Sequence, residues 1–136
     1  MALHNFSLAK TCGIMGLGTF FWGLGVWSIR HGGTYMFQTN LSRSLAMAAT
    51  VPMSYAVIRL TEAVFSLNAQ ETLVAMTLGT GFASILDGIA HTWFPSAYEN
   101  PELQKKNPLA ACTISRYGSG WLLFFVGAAL TMLVFM

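Results

Sequence analysis

The stretch that decides the fold is TCGIMGLGTFFWGLGVWSI, residues 11–29, which contains 19 residues and no Asp, Glu, Lys or Arg. A helix needs about 20 mostly apolar residues to cross the hydrocarbon core of a bilayer. A second uncharged stretch covers residues 117–136, and two shorter ones cover 44–58 and 72–86. The shorter two continue as apolar sequence beyond isolated charges. The pattern predicts four transmembrane helices.

Composition points to the same class of protein. Only 9% of the residues are charged, and the mean hydropathy is +0.56, which is typical of a polytopic membrane protein. A soluble helical domain would lack the polar surface that it needs. The net charge of +2 includes no Lys/Arg cluster suited to nucleic acid. No phosphate-binding loop, metal-binding His pair or nucleophile elbow occurs, so we expect no enzymatic activity.

Capping signals predict where the helices begin and end. Short polar side chains cap free backbone N–H groups at helix starts, and Gly32-Gly33 and Pro95 are expected to stop the first and third helices. The candidate caps are Asn5 or Ser7, Asn40 or Ser42, Asn68 with Glu71, and Asn107 before Pro108. The chain is therefore predicted to form a single all-α domain over residues 1–136. Its helices are expected at about 8–31, 42–66, 69–94 and 108–136.

Positive charges predict the orientation, because short cytoplasmic loops carry an excess of Lys and Arg. With four spans, Lys10 and Arg59 lie on the side of both termini. The opposite side carries Arg30, Arg43, Lys105, Lys106 and Arg116. The first and third loops are therefore predicted to face inward and both termini outward. An aromatic belt is expected at the inner boundary, formed by Trp27, Trp93, Tyr117, Tyr35 and Tyr98.

Two cysteines fall on opposite sides of the membrane in this topology. Cys12 opens the first helix on the outer side, and Cys112 belongs to the third loop or the fourth helix on the inner side. Residues so far apart cannot be joined by an intramolecular disulfide. Both are expected to remain free.

Asp87 is the main candidate for a functional residue. An ionisable side chain within a membrane span is costly, and by default it indicates a functional site. Thr80, Ser84, Asp87 and His91 recur at helical spacing and should share the face that points into the bundle. Arg30, Arg43 or Arg116 would be able to reach this face from the ends of the other helices.

Two kinds of role are compatible with Asp87 and His91. The pair with one arginine would form a structural clasp that fixes helix register. Alternatively, carboxylate and imidazole would relay protons, or His91 would ligate a pigment magnesium or a haem iron. The structural clasp is preferred, because the outer half of the third helix offers only threonines to a transport path. Bound lipid is expected; no cofactor is predicted.

Small residues suggest where helices pack. In lipid, small-xxx-small faces let backbones approach closely, and the candidates are Gly16, Gly23, Gly79, Ala83 and Gly127. Glycine is spread around the first helix, so a neighbouring subunit is expected on one of its sides. On the second helix, Arg59 and Glu62 have the spacing of an intrahelical ion pair.

Several short motifs carry a resemblance to known proteins: Ile85-Leu86-Asp87-Gly88, Trp93-Phe94-Pro95, Tyr98-Glu99-Asn100-Pro101 and Arg116-Tyr117-Gly118, together with Arg30 before Gly32-Gly33. Through these motifs, most of the chain resembles a family of small four-helix bacterial membrane proteins of unknown function. It implies a four-helix topology and an important Asp87. It implies no activity.

We therefore expect a non-catalytic accessory subunit of a larger membrane complex, such as a respiratory or photosynthetic one, in a bacterial or organellar inner membrane. Its partners would be the bilayer and other integral subunits. The alternative is a small proton- or ion-handling transporter that uses Asp87 and His91. Asp87 and His91 distinguish the two functions, because only the transporter requires these side chains to gain and lose protons.

Overall fold

A computed structural model describes residues 6–136, and within that range the chain forms helices and no strands. Three of the helices, α1, α3 and α5, are long and apolar enough to cross a membrane. The chain is thus a multi-pass membrane protein. α2 is long enough but less apolar. The helices are α1 (Leu8–Met36), α2 (Asn40–Phe65), α3 (Ala69–Trp93), α4 (Pro101–Lys106) and α5 (Pro108–Leu133), with a 3₁₀ helix at Pro95–Ala97.

Side-chain caps begin the helices close to where the sequence predicts them. Ser7 accepts a hydrogen bond from the backbone N–H of Lys10, whereas the alternative cap Asn5 lies outside the described residues. The reciprocal capping box of Asn68 and Glu71 opens α3, and Asn107 caps α5. The prediction for α2 was wrong: Thr39 is the N-cap, in a reciprocal box with Ser42.

The end of α1 also differs from the prediction, because the helix continues through Gly32 and Gly33 to Met36. No glycine in the described part of the chain has a positive φ, so neither acts as a helix stop. Gly33 instead allows a close approach of α5, since a Cβ there would lie 2.9 Å from Ile114 Cγ2. At the other predicted ends, α2 and α3 each stop one residue early, at Phe65 and Trp93, and α5 stops three residues early at Leu133.

Contacts between helices give their relative directions. α1 and α3 are parallel, because Ile14 meets Gly79 and, further along, Trp22 meets Asp87. α1 and α5 are antiparallel, as Gly25 lies against Leu122 and Gly33 against Ile114. α2 runs parallel to α5: the Trp121 indole donates to Ala46 O and Ser54 to Phe125 O. The bundle therefore consists of two parallel pairs, α1/α3 and α2/α5.

Of the glycines predicted to pack, one lies at a helix crossing within the bundle. Gly79 packs as expected, and its partner is Gly18, where a Cβ would collide with the Gly79 carbonyl oxygen. Gly16, Gly23 and Gly127 have no atom within 4 Å of an added Cβ. The helices are rotated so that these three glycines face outward, and packing at them against a neighbouring subunit stays a prediction.

One end of the bundle, here called the α4 end, carries the largest buried cluster. It lies where α1 and α3 end and α5 begins. Ile29, Phe37, Ala90, Tyr98 and Trp121 pack together there. Tyr98 comes from the segment between α3 and α4, which folds back beneath the helices. This segment brings a loop side chain into contact with α3, where the candidate site lies.

Candidate functional site

Asp87 points into the bundle, as the spacing along α3 predicts. Its side chain is 16% exposed, and that of His91, one turn later, is 32% exposed. On the opposite face of α3, Ile85 and Trp93 are 60% and 67% exposed. The polar face of α3 is therefore covered by neighbouring elements at Asp87, whereas Ser84, which was predicted to share that face, is exposed. The apolar face is directed outward.

Neutral donors hold the carboxylate of Asp87. The indole Nε1–H of Trp22 donates to Oδ1 over 3.1 Å, and the phenol of Tyr98 donates to the same oxygen. The other oxygen, Oδ2, lies 3.7 Å from His91 Nε2, beyond hydrogen-bond distance. Three elements, α1, α3 and the segment before α4, therefore meet at Asp87.

His91 extends this group of side chains toward α5. Its Nε2 lies 2.8 Å from Ser119 Oγ, and that hydroxyl donates its only proton to Ser115 O. Because the hydroxyl proton is used, His91 Nε2 is the donor to Ser119. The His91 ring also stacks on Tyr98, with centroids 4.0 Å apart and planes 12° apart. Trp22, Asp87, His91, Tyr98 and Ser119 together are called the Asp87 cluster below.

Tyr98 does not belong to the aromatic belt in which the sequence placed it. Its side chain is completely buried, whereas Trp27, Trp93, Tyr35 and Tyr117 are exposed near the α4 end. Burial raises the pKa of the Tyr98 phenol, and the hydrogen bond to Asp87 raises it further. The phenol therefore keeps its proton and acts as a donor to the carboxylate.

None of the three arginines expected at Asp87 contacts it. Arg30 donates instead to the carbonyl oxygens of Ser96 and Ala97, at 3.2 and 3.4 Å. Asn100 Nδ2 in turn donates to the Arg30 carbonyl oxygen over 3.0 Å. These bonds attach the segment that carries Tyr98 to the end of α1, so Arg30 acts on Asp87 only through Tyr98.

The two remaining arginines lie on the surface of the α4 end. Arg43 bonds to Asn40 and lies over the Tyr117 ring, 4.1 Å from its centroid. Arg116 is exposed and makes no hydrogen bond or ion pair to residues 6–136. The predicted arginine partner was therefore wrong, because all three guanidinium groups lie nearer to backbone carbonyls, an aromatic ring or solvent.

A cavity of about 180 Å³ lies beside Asp87 between the long helices, and it opens to the bundle surface where the exposed Leu24 and Leu123 form part of its wall. All four long helices contribute to its wall, which is mostly aliphatic and aromatic. Asp87 supplies the carboxylate; Ala83, predicted as a packing residue, also lines it. The other polar side chains in the wall are Trp22, Ser28, Thr61, Thr80, Ser84 and Trp121. The cavity is thus an apolar space with a carboxylate in its wall.

The hydrogen-bond donors around the cavity are already used. Ser28, Thr61, Thr80 and Ser84 each donate to a carbonyl oxygen four residues earlier in their own helix. The two indoles donate to Asp87 and to Ala46 O. The wall therefore offers acceptors to an occupant, foremost the carboxylate, and no free side-chain proton.

Sequence reasoning found Asp87 and His91 but missed Trp22, Tyr98 and Ser119. The sequence contains a weak signal for Tyr98, since its segment follows α3 directly and contains the turn-forming Pro95. Trp22 and Ser119 are indistinguishable by type from other residues of their helices. In the described part of the chain, no three His, Cys, Asp or Glu side chains are grouped to hold a metal ion.

Comparison with protein-family models, with curated proteins and with solved structures finds no match to this chain.

Proposed function

We propose that this protein is a non-catalytic accessory subunit, crossing the membrane four times and packing against other integral subunits of a larger complex. The complex would be of the respiratory or photosynthetic kind, in a bacterial or organellar inner membrane. The observation that carries the proposal is the outward face of α2. Exposed alanines recur along it among larger apolar side chains, and small residues are enriched where membrane helices pack together.

Helix directions support four spans. α1 and α3 are parallel and each is able to cross a membrane. The 26 residues of α2 connect the end of the first to the start of the second, and they extend over about 39 Å. Since two consecutive parallel spans need a return crossing between them, α2 is the fourth span in this proposal.

Charge supports the orientation. Arg30, Arg43, Lys105, Lys106 and Arg116 belong to the α4 end, and Lys10 and Arg59 to the other. The excess of positive charge favours an inward-facing α4 end. Both termini then face outward. The exposed aromatic residues near the α4 end suit the inner membrane boundary.

The outward face of α2 carries small side chains among larger apolar ones such as Leu45 and Leu60. Ala49, Ala56 and Ala63 recur every seven residues, and all three are exposed. Arg59 is exposed on the same helix and forms the predicted ion pair with Glu62, at 2.6 Å. Small residues are enriched where membrane helices pack together.

Outward-facing glycines on α1 add to this argument. Gly16 and Gly23 have nothing near an added Cβ, and glycine offers lipid no side chain to contact. A partner helix would gain a close backbone approach at these positions. The Asp87 cluster is then the internal clasp that keeps the subunit rigid.

The test is co-migration after mild solubilisation. Tagged protein should run in native gels with a larger assembly, and Ala56→Phe should release it by placing a large ring on the outward face of α2. Ile85→Phe is the matched control, because Ile85 is exposed on the outward face of α3. Release by both variants, or migration of the unaltered protein alone, would contradict the proposal.

Proton or ion handling is the second candidate, favoured by the contact series from Tyr98 through Asp87 and His91 to Ser119. Oδ1 of Asp87 already accepts two hydrogen bonds, so a proton on this carboxyl group would reside on Oδ2. In liposomes, the protein would then dissipate a pH gradient, and Asp87→Asn would abolish this while leaving the fold intact. Equal rates for the two proteins would exclude this function.

A further inference from the structure

We infer that the cavity beside Asp87 binds a small lipid-soluble amine, whose ammonium group donates to the carboxylate while its apolar body fills the cavity. This inference is separate from the accessory role, because it concerns the interior of the bundle. It rests on three features: the free carboxylate oxygen, the absence of free donors in the wall, and the apolar volume.

The first feature is the unequal use of the two carboxylate oxygens. Oδ1 accepts from both Trp22 and Tyr98, whereas Oδ2 has no hydrogen-bond donor within the described residues. Every buried side-chain nitrogen or oxygen in that part of the chain has a partner. Since Oδ2 has no such partner, it is not a buried atom and is accessible. Asp87 also lines the cavity.

The second feature is the chemistry of the remaining wall. Its hydroxyl and indole protons all donate within the protein, so a ligand carbonyl would find no partner there. A donor would find the carboxylate. His91 does not donate a hydrogen bond to Oδ2, because its Nε2 bonds to Ser119 and lies 3.7 Å from Oδ2. The polar end of the ligand must therefore donate, and a cation suits a carboxylate best.

The third feature is the size and position of the cavity. An apolar protein cavity of about 150 Å³ is known to hold a benzene ring, and this one is about 180 Å³. A ring or a short branched chain with one amine therefore fits. Leu24 and Leu123 line the cavity and are 47% and 64% exposed. They lie on the apolar surface of the bundle, so a ligand dissolved in the bilayer has access.

Binding of radiolabelled 2-phenylethylamine to the full chain in phosphatidylcholine nanodiscs tests the inference. We expect saturable binding above that of nanodiscs without protein. Asp87→Asn should weaken it about 10- to 100-fold, the loss expected for one hydrogen bond to a charged group. Equal binding by the two proteins, or partition into the lipid alone, would overturn the inference.

A second ligand guards against a variant that merely unfolds. In Asp87→Asn, the amide oxygen must take the Oδ1 position to accept from Trp22 and Tyr98, which places the NH₂ group at the cavity. The variant should therefore bind acetophenone, a ring with a carbonyl acceptor, which the unaltered protein should not bind. An unfolded protein cannot show this gain. Failure of the folded variant to show it would count against the proposed geometry.

The same ammonium chemistry occurs in the head group of phosphatidylethanolamine. Adding this lipid to the nanodiscs distinguishes the two sources. Competition with 2-phenylethylamine would identify the occupant as a lipid head group, and undiminished binding would identify it as a separate small amine. Ala83→Leu provides the control for location, since a larger side chain in the cavity wall should reduce the binding of either ligand.

Discussion

Tyr98 donates a hydrogen bond to Asp87 from a segment that lies outside the long helices. The bond joins the loop after α3 to the interior of the bundle, and the Tyr98 ring stacks on His91 at the same place. A loop residue thereby completes the polar group on α3. The position of this loop and the hydrogen bonding of Asp87 should therefore change together.

Tyr98→Phe should destabilise the protein by about 1–3 kcal/mol, because it removes one hydrogen bond to a buried acidic group and retains the ring. Thermal unfolding in detergent, followed by circular dichroism, measures the effect. Tyr117→Phe is the control, since Tyr117 is partly exposed and its contact with Arg43 needs only the ring. Equal losses of stability in the two variants would show that the hydrogen bond from Tyr98 to Asp87 does not stabilise the protein.

Stability should decrease as the pH rises above about 10. Tyrosine in the unfolded chain loses its proton near the ordinary pKa of 10.0, whereas the pKa of folded Tyr98 is raised by burial and by Asp87. Above pH 10 the unfolded state therefore binds fewer protons, and it gains in relative stability by up to about 1.4 kcal/mol per pH unit. Below pH 10 this contribution is complete. Chemical unfolding at pH 9 to 11 should show that the free energy of unfolding falls less steeply with pH in Tyr98→Phe than in the unaltered protein.

The sequence predicts the helices, their caps and the inward face of α3, because these depend on local patterns. It fails for the partner of Asp87. Arg30 is directed to Ser96 O and Ala97 O, which are 66 and 67 residues away in the sequence. A choice between a carboxylate and loop carbonyls depends on tertiary placement, which spacing along one helix does not contain.

For a related reason, the sequence does not predict which glycines of α1 pack within the bundle. Gly16 and Gly18 look equivalent in the sequence, yet only Gly18 lies at the crossing with α3. The rotation of α1 about its own axis decides between them. That rotation is set by contacts such as Trp22 with Asp87, which join residues far apart in the chain.

Arg30→Ala should loosen the segment that carries Tyr98. The variant loses two hydrogen bonds to loop carbonyls. The free energy of local opening should therefore fall by about 1–2 kcal/mol, which makes amide exchange about 5 to 30 times faster. Hydrogen–deuterium exchange of residues 95–100 gives the measurement. Arg116→Ala removes an exposed arginine without these bonds and should leave the exchange unchanged. Unchanged exchange in Arg30→Ala would show that the buried Tyr98 ring alone holds the segment.

Gly18→Ala should separate α1 from α3, because the new Cβ would collide with the Gly79 carbonyl oxygen, a backbone atom that has little freedom to move. We expect a loss of about 1–3 kcal/mol, the usual cost of overpacking. Gly23→Ala has open space around it and should leave the stability of the isolated chain unchanged or slightly higher. Unfolding in detergent compares the two variants. A larger loss at Gly23 than at Gly18 would contradict the observed rotation of α1.

The last prediction concerns the return crossing by α2. Cys12 and Cys112 are both exposed and lie at the starts of the antiparallel helices α1 and α5, so a membrane-impermeant maleimide should label them from opposite sides of sealed vesicles. In a background without these cysteines, Gln38→Cys and Ala69→Cys place exposed labels just before α2 and just after it, at the start of α3. If α2 crosses the membrane, residue 38 should react from the inner side and residue 69 from the outer side. Because α1 and α3 are parallel, labelling of both positions from one side would require one of these apolar helices to remain outside the bilayer, and the four-span arrangement would be wrong.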